Sequence, residues 1–174
     1  MNTEQIQESI DNNQAVNAGT QQFLTFILAG EEYGVDILRV QEIRGWEDAT
    51  EIPNTPEYVK GVVNLRGTIV PIIDLRFRFE LEQVEYSKTT VVIVMKIYGG
   101  SGERTMGFVV DAVSDVYNVD HEQQKTPPDF GCVVSTEFIK GLATVDEKMI
   151  ILLDIDHVVD VDEVVETAES ETEH

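Results

Sequence analysis

The sequence predicts an all-β protein with short helices, built from two homologous half-domains that close as two small barrels packed together. Three observations predict it. First, "YVKGVVNLRGTIVPIIDL" (58–75) returns as "FIKGLATVDEKMIILLDI" (138–155), with Lys60/Lys140, Gly61/Gly141 and Asp74/Asp154 in matching places. Second, Gly34/Gly107, Val40/Val113 and Ile43/Val116 match at one common offset, so the repeat extends well beyond that segment. Third, from Phe23 onward the apolar residues form short alternating or continuous Val/Ile segments separated by turn residues, which is the pattern of strands. Two sets of about five short strands close most simply into barrels.

The elements follow in order. Residues 1–21 are polar and rich in Asn and Gln, and read as a flexible arm. "FLTFIL" (23–28) is a strand, and "AGEE" turns it back into "YGVDI" (33–37). "LRVQEI" (38–43) is ambiguous: Ile37, Val40 and Ile43 fall three apart, as on a helical turn, while the β-branched content favours strand. The prolines of "PNTPEYV" (53–59) fix a rigid connector, with room for one turn of helix. "VVN" and "IVPIID" then flank the turn "LRGT", with Gly67 available for positive φ.

The second half repeats this order. "TVVIVMKIY" (90–98) is a strand, "GGSGER" a turn, and "MGFVVDAVSDV" (106–116) pairs back; "TPPDF" (126–130) plays the part of the proline connector. Val158, Val161 and Val165 mark a terminal amphipathic helix. The domain therefore spans 22–160, in copies of roughly 22–86 and 87–160, with the helix end and an acidic tail at 161–174.

Composition excludes several functions. At 174 residues the chain suits one domain with a sizeable core. No apolar run approaches the roughly 20 residues of a membrane-spanning helix, and the N-terminal stretch lacks the basic start and apolar core of a signal peptide. A lone Cys132 gives no disulfide framework, which suits a reducing cytosol. The net charge of −21 favours solubility and repels nucleic acid and anionic lipid, both of which are bound mainly through phosphate neutralisation.

No catalytic or metal site is expected. Asp74 and Asp154, one per half, bring a two-carboxylate protease to mind, but each ends an apolar run with no glycine or hydroxyl residue after it. Strand-end capping explains them better. His121, His157 and His174 are scattered, "YGGSGER" lacks the Lys-Ser/Thr of a phosphate loop, and Ser101 misses the spacing of a nucleophile elbow. What remains is an asymmetry. The first copy has Asn64-Leu65-Arg66-Gly67 where the second has Thr144-Val145-Asp146-Glu147, and Arg66 is placed to pair with Glu42 beside exposable aliphatics.

"YGVDILRVQEIRG", "NTPEYVKGVVNLRGTIVPIIDLR" and "TVVIVMKIYGG…GFVVDAVSDV" resemble the CheW family of bacterial chemotaxis coupling proteins, from about Gln22 to Val159. The G-V-x-N-L-R-G-x-I-x-P stretch, Gly61 to Pro71, is its most specific motif. The resemblance implies two intertwined five-stranded SH3-like barrels and a cytoplasmic scaffold without catalysis or cofactor. It also implies two partners: the cytoplasmic tips of methyl-accepting chemoreceptors, and the regulatory domain of the histidine kinase CheA. Carried over by residue, the receptor groove maps to Leu24, Ile37, Val40 and Ile43, with Glu42 and Arg66 as its polar members; the kinase contact is not assigned. The competing reading is a small enzyme with a site between the barrels.

Overall fold

Strand pairing resolves the repeat into two sheets that exchange strands. The computed structural model describes residues 4–7, 20–47, 49–53, 55–81, 86–99, 102–125 and 136–158. The strands are β1 (Thr20–Leu28), β2 (Glu31–Asp36), β3 (Val40–Gly45), β4 (Val59–Leu65), β5 (Thr68–Asp74), β6 (Val91–Gly99), β7 (Gly102–Val110), β8 (Ala112–Asp120), β9 (Gln124–Lys125), β10 (Ile139–Val145) and β11 (Lys148–Leu153). Helical turns are α1 (residues 4–7), α2 (Leu75–Arg78) and α3 (Ile155–Val158).

The first sheet runs β8-β1-β2-β11-β10-β9 and the second β3-β6-β7-β5-β4. Each half thus gives its opening hairpin to one sheet and its remaining strands to the other. The exchange is sealed by two parallel pairings, β11 with β2 and β5 with β7. These are the intertwined SH3-like barrels of the sequence-based expectation, except that the two-residue β9 makes the first sheet six-stranded.

The exchange explains the continuous Val/Ile runs. Val70, Ile72, Val92, Val94 and Val109 fill one face of the second sheet. Their neighbours Ile73, Ile93, Phe108 and Val110 join Leu24, Phe26 and Val35 of the first sheet in the large shared core. Phe23, Val119, Ala143, Ile150 and Leu152 fill the other barrel. Strands buried on both faces lose the polar half of their alternation.

The repeated glycine and aspartate also find causes. Gly61 has φ 139°, and a Cβ there would lie 2.1 Å from the carbonyl oxygen of Thr50, whose backbone is bonded to Val62 in both directions at 2.9 Å. Gly141 stands likewise against Lys125, at 3.0 Å. The Asp74 N–H donates to Tyr58 O (2.7 Å), as Asp154 N–H does to Phe138 O (2.9 Å).

Four details differ from the expectations. "MGFVVDAVSDV" is not one strand: it breaks at Asp111, where the chain crosses from the second sheet to the first. Around 57–58 there is a turn in place of the helical one. Thr20 and Gln21, expected in the arm, belong to β1. Residues 4–7, also expected in the arm, form a helical turn whose Ile6 is fully buried. "TPPDF", Val161 and Val165 lie outside the described residues.

Candidate functional site

The six residues expected to bind a partner lie on or behind one strand, β3, or at the hairpin tip facing it. The chain leaves the first sheet through a 3-10 turn, Ile37–Arg39, capped by Asp36, whose Oδ1 accepts from the Leu38 N–H at 3.0 Å. Arg39 then anchors the start of β3: its two terminal nitrogens donate to Asp156 Oδ1 and Oδ2 at 2.9 and 2.7 Å, and its guanidinium lies 4.4 Å from the Tyr98 ring centre. The hydrogen bond that Arg39 donates to Asp156 holds the guanidinium above its ordinary pKa. For Asp156, burial acts to raise the pKa, but the Arg39 bond, the Tyr98 N–H and the Arg39 charge bring it below the usual carboxylate value.

A bulge between Val40 and Glu42 inserts one extra residue against β6. Val40 and Ile43 therefore both face inward although they are three apart, which resolves the helix-or-strand ambiguity: the helical spacing is a 3-10 turn followed by a bulged strand.

β3 and β4 are the two edges of the second sheet, and an ion pair joins β3 to the tip that follows β4. Arg66 Nη2 donates to Glu42 Oε2 at 2.9 Å, with the arginine side chain 81% exposed and the glutamate 17%. Glu42 Oε1 is buried and has no hydrogen-bond partner among the described residues. The tip is a two-residue turn with φ 53° at Arg66 and 87° at Gly67, and Asn64 Oδ1 accepts from the Gly67 N–H at 2.8 Å. Below the tip, between the edges, a cleft of about 50 Å³ is lined by Arg44, Val63, Leu65, Ile72 and Val94, among others.

Leu24 and Ile37 are core residues. Leu24 sits fully buried in β1 opposite Val35 and Val116, and Ile37 is 2% exposed. Val40 and Ile43 are buried at the edge itself. Exposed apolar residues nearby went unnoticed in the sequence: Leu38, ahead of β3, and Ile69, opposite Asn64 beside the tip. A lone exposed apolar residue carries no periodic signal. Ile6 stands as a single apolar residue in a polar stretch and Gln7 is one glutamine among several, so neither is marked by pattern.

The acids considered for catalysis are spent elsewhere. Asp74 Oδ1 accepts from the Arg76 N–H (3.0 Å) and Nε (2.9 Å), while Oδ2 accepts from Arg76 Nη2 (2.9 Å) and the Tyr86 hydroxyl (2.8 Å). The capping role expected of Asp74 is thus seen, with a fully buried ion pair added to it. Arg76 Nη1 also donates to Asp111 Oδ1 at 2.8 Å, and Asp111 Oδ2 accepts from the Ala29 N–H, tying α2 to the crossing point and to the first hairpin. Burial works against the Arg76 charge, and the bonds and charges of Asp74 and Asp111 more than offset it. Burial, then the bond to Asp74, pushes the Tyr86 hydroxyl well up. Asp154 pairs with His157 at 2.7 Å. Among the described residues no three His, Cys, Asp or Glu side chains gather as metal ligands, and no helix is long and apolar enough to cross a membrane.

Interlocked barrels whose buried charges are engaged in structural pairs, and whose one edge seam carries an exposed ion pair over an apolar cleft, define a binding module. Residues 22–163 match the family model of the CheW-like domain. The chain is 52% identical over 136 residues to the chemotaxis protein CheW of Klebsiella aerogenes, covering 78% of this chain and 80% of that one. It is 35% identical over 140 residues to that of Rhizobium meliloti, covering 80% and 88%. A crystal structure of the scaffolding protein TtCheW from Thermoanaerobacter tengcongensis superposes with a TM-score of 0.73 at 37% identity, covering 79% of this chain and 91% of that one. The chain belongs to the CheW-like domain family.

Proposed function

We propose that this protein is a non-catalytic scaffold of bacterial chemotaxis, cytoplasmic, that couples chemoreceptor tips to the regulatory domain of the histidine kinase CheA. The observation that carries the reading is the β3–β4 seam, where Glu42 and Arg66 flank an apolar edge. The family membership and the chemotaxis names of the relatives support it. Receptor contact falls to Val40, Glu42, Ile43 and Arg66, with Leu24 and Ile37 shaping the surface from beneath. A receptor tip is helical and fits a groove-docking mode in which apolar side chains anchor and a charged pair orients. The kinase domain shares this fold and meets a different barrel face.

The test is a reconstitution. A receptor-tip fragment and the kinase regulatory domain should each co-elute with this protein on size exclusion with light scattering, and a species holding all three should form when it is added to the mixture. Binding of neither component overturns the reading.

A further inference from the structure

β3 has β6 on one side only, so its outer row of backbone groups needs other partners. Two of those groups are met from far along the chain. The Ile43 N–H donates to Gln7 Oε1 at 3.2 Å, and Gln7 Nε2 donates to the Gln41 carbonyl at 3.3 Å. A carboxamide offers the same donor and acceptor as a peptide group, so Gln7 takes the place of the next strand. One residue earlier, Ile6 is fully buried in the cluster that holds Leu24, Val40 and Ile43. The burial of that edge is in part its doing.

The apolar part of the attachment is small. Ile6 is the one apolar residue between Asn2 and Ser9, so one apolar anchor, together with polar contacts, must offset the ordering of the segment. It also has the form of a competitor: α1 is a helical turn that inserts an apolar side chain into the surface assigned above to a receptor helix.

We infer that residues 4–7 are a built-in occupant of the β3 surface, displaced when a partner helix presenting an apolar residue docks there. The inference rests on the receptor reading of that surface. An occupant seated nine-tenths of the time lowers apparent affinity about tenfold. Occupancy and coupling are then linked, and releasing the segment should strengthen the scaffold's grip on its receptor.

The experiment compares the full chain with Ile6→Asp, and with Gln7→Ala in case the first variant fails to fold. Calorimetry gives the Kd for a receptor-tip fragment, and amide exchange follows the Ile43 N–H in the free proteins. The expected result is five- to tenfold tighter binding by Ile6→Asp, a smaller gain for Gln7→Ala, and faster Ile43 exchange in both. If all forms bind the tip equally, or the variants bind it more weakly, the segment is a structural cap and the inference falls while the receptor reading stands. If no form binds the tip, the receptor reading falls and the inference goes with it.

Discussion

The two hairpin tips, β4–β5 and β10–β11, share one shape and carry two chemistries. Both turns hold two residues at positive φ: Arg66 and Gly67 at 53° and 87°, Asp146 and Glu147 at 50° and 65°. Both expose an apolar side chain beside the tip, Ile69 in one and Met149 in the other. Only the first tip reaches across to a facing strand through an ion pair, from Arg66 to Glu42, among the described residues. Since Asp146 and Glu147 make the same turn, the fold requires neither arginine nor glycine there. The residue that folding does not demand is the one to assign to recognition.

The helical corners offer a second comparison, and the sharpest break. At α2 the pair is Arg76 with Asp74 and Asp111; at α3 the matching position is Asp156, and its partner is Arg39. The charge has been inverted and the pairing kept. The two corners differ in depth: Arg76 is fully buried, whereas Arg39 and Asp156 are about a quarter exposed. Replacing Arg76 with alanine leaves Asp74 buried without its charge partner and should cost about 3–5 kcal/mol in urea unfolding. Arg39→Ala, a partly solvated pair, should cost about 1 kcal/mol. Equal losses would show that depth does not separate the corners.

The repeated glycines come next. Gly61→Ala puts a methyl against the Thr50 carbonyl at an unfavourable φ and should destabilise by about 3 kcal/mol. Gly141→Ala meets Lys125 at 3.0 Å and should lose roughly a third of that, both read by urea unfolding.

The smallest effect is electrostatic. Asp156 has a folded pKa below its unfolded value, so its contribution is present above the unfolded pKa near about 3.9 and is lost as pH falls through the folded pKa. Asp156→Asn should remove up to about 1 kcal/mol at neutral pH and flatten the acid limb of the stability curve below about pH 4. An unchanged acid limb would mean that the Arg39 pair contributes nothing to the α3 corner.

The repeat was legible because it is written in local order: the glycines, aspartates and apolar runs recur at fixed offsets. The exchange of strands was legible only through the family resemblance, which implies intertwined barrels, and not from the pattern of residues. Where the segment around it breaks, Asp111 is held by Arg76, thirty-five residues away, a contact that lies outside any periodic window. The pairing of Glu42 with Arg66 was anticipated from charge scarcity and the turn. Leu24 is buried in β1 and Ile37 in the 3-10 turn, and neither position carries a pattern that separates core from surface aliphatics. Ile6 escaped notice as a single apolar residue among polar ones.

The claim that chemistry at one tip, and not its shape, makes the recognition surface is tested by matched substitutions. Arg66→Ala and Asp146→Ala would be titrated calorimetrically with a receptor-tip fragment, with circular dichroism melts on the same preparations. Both exposed changes should alter stability by no more than about 1 kcal/mol. Arg66→Ala should weaken binding by about 2 kcal/mol, roughly thirtyfold, as expected for a desolvated charge-assisted contact, and Asp146→Ala should bind as the parent does. Equal binding by parent and Arg66→Ala, or equal loss in both variants, would contradict the account.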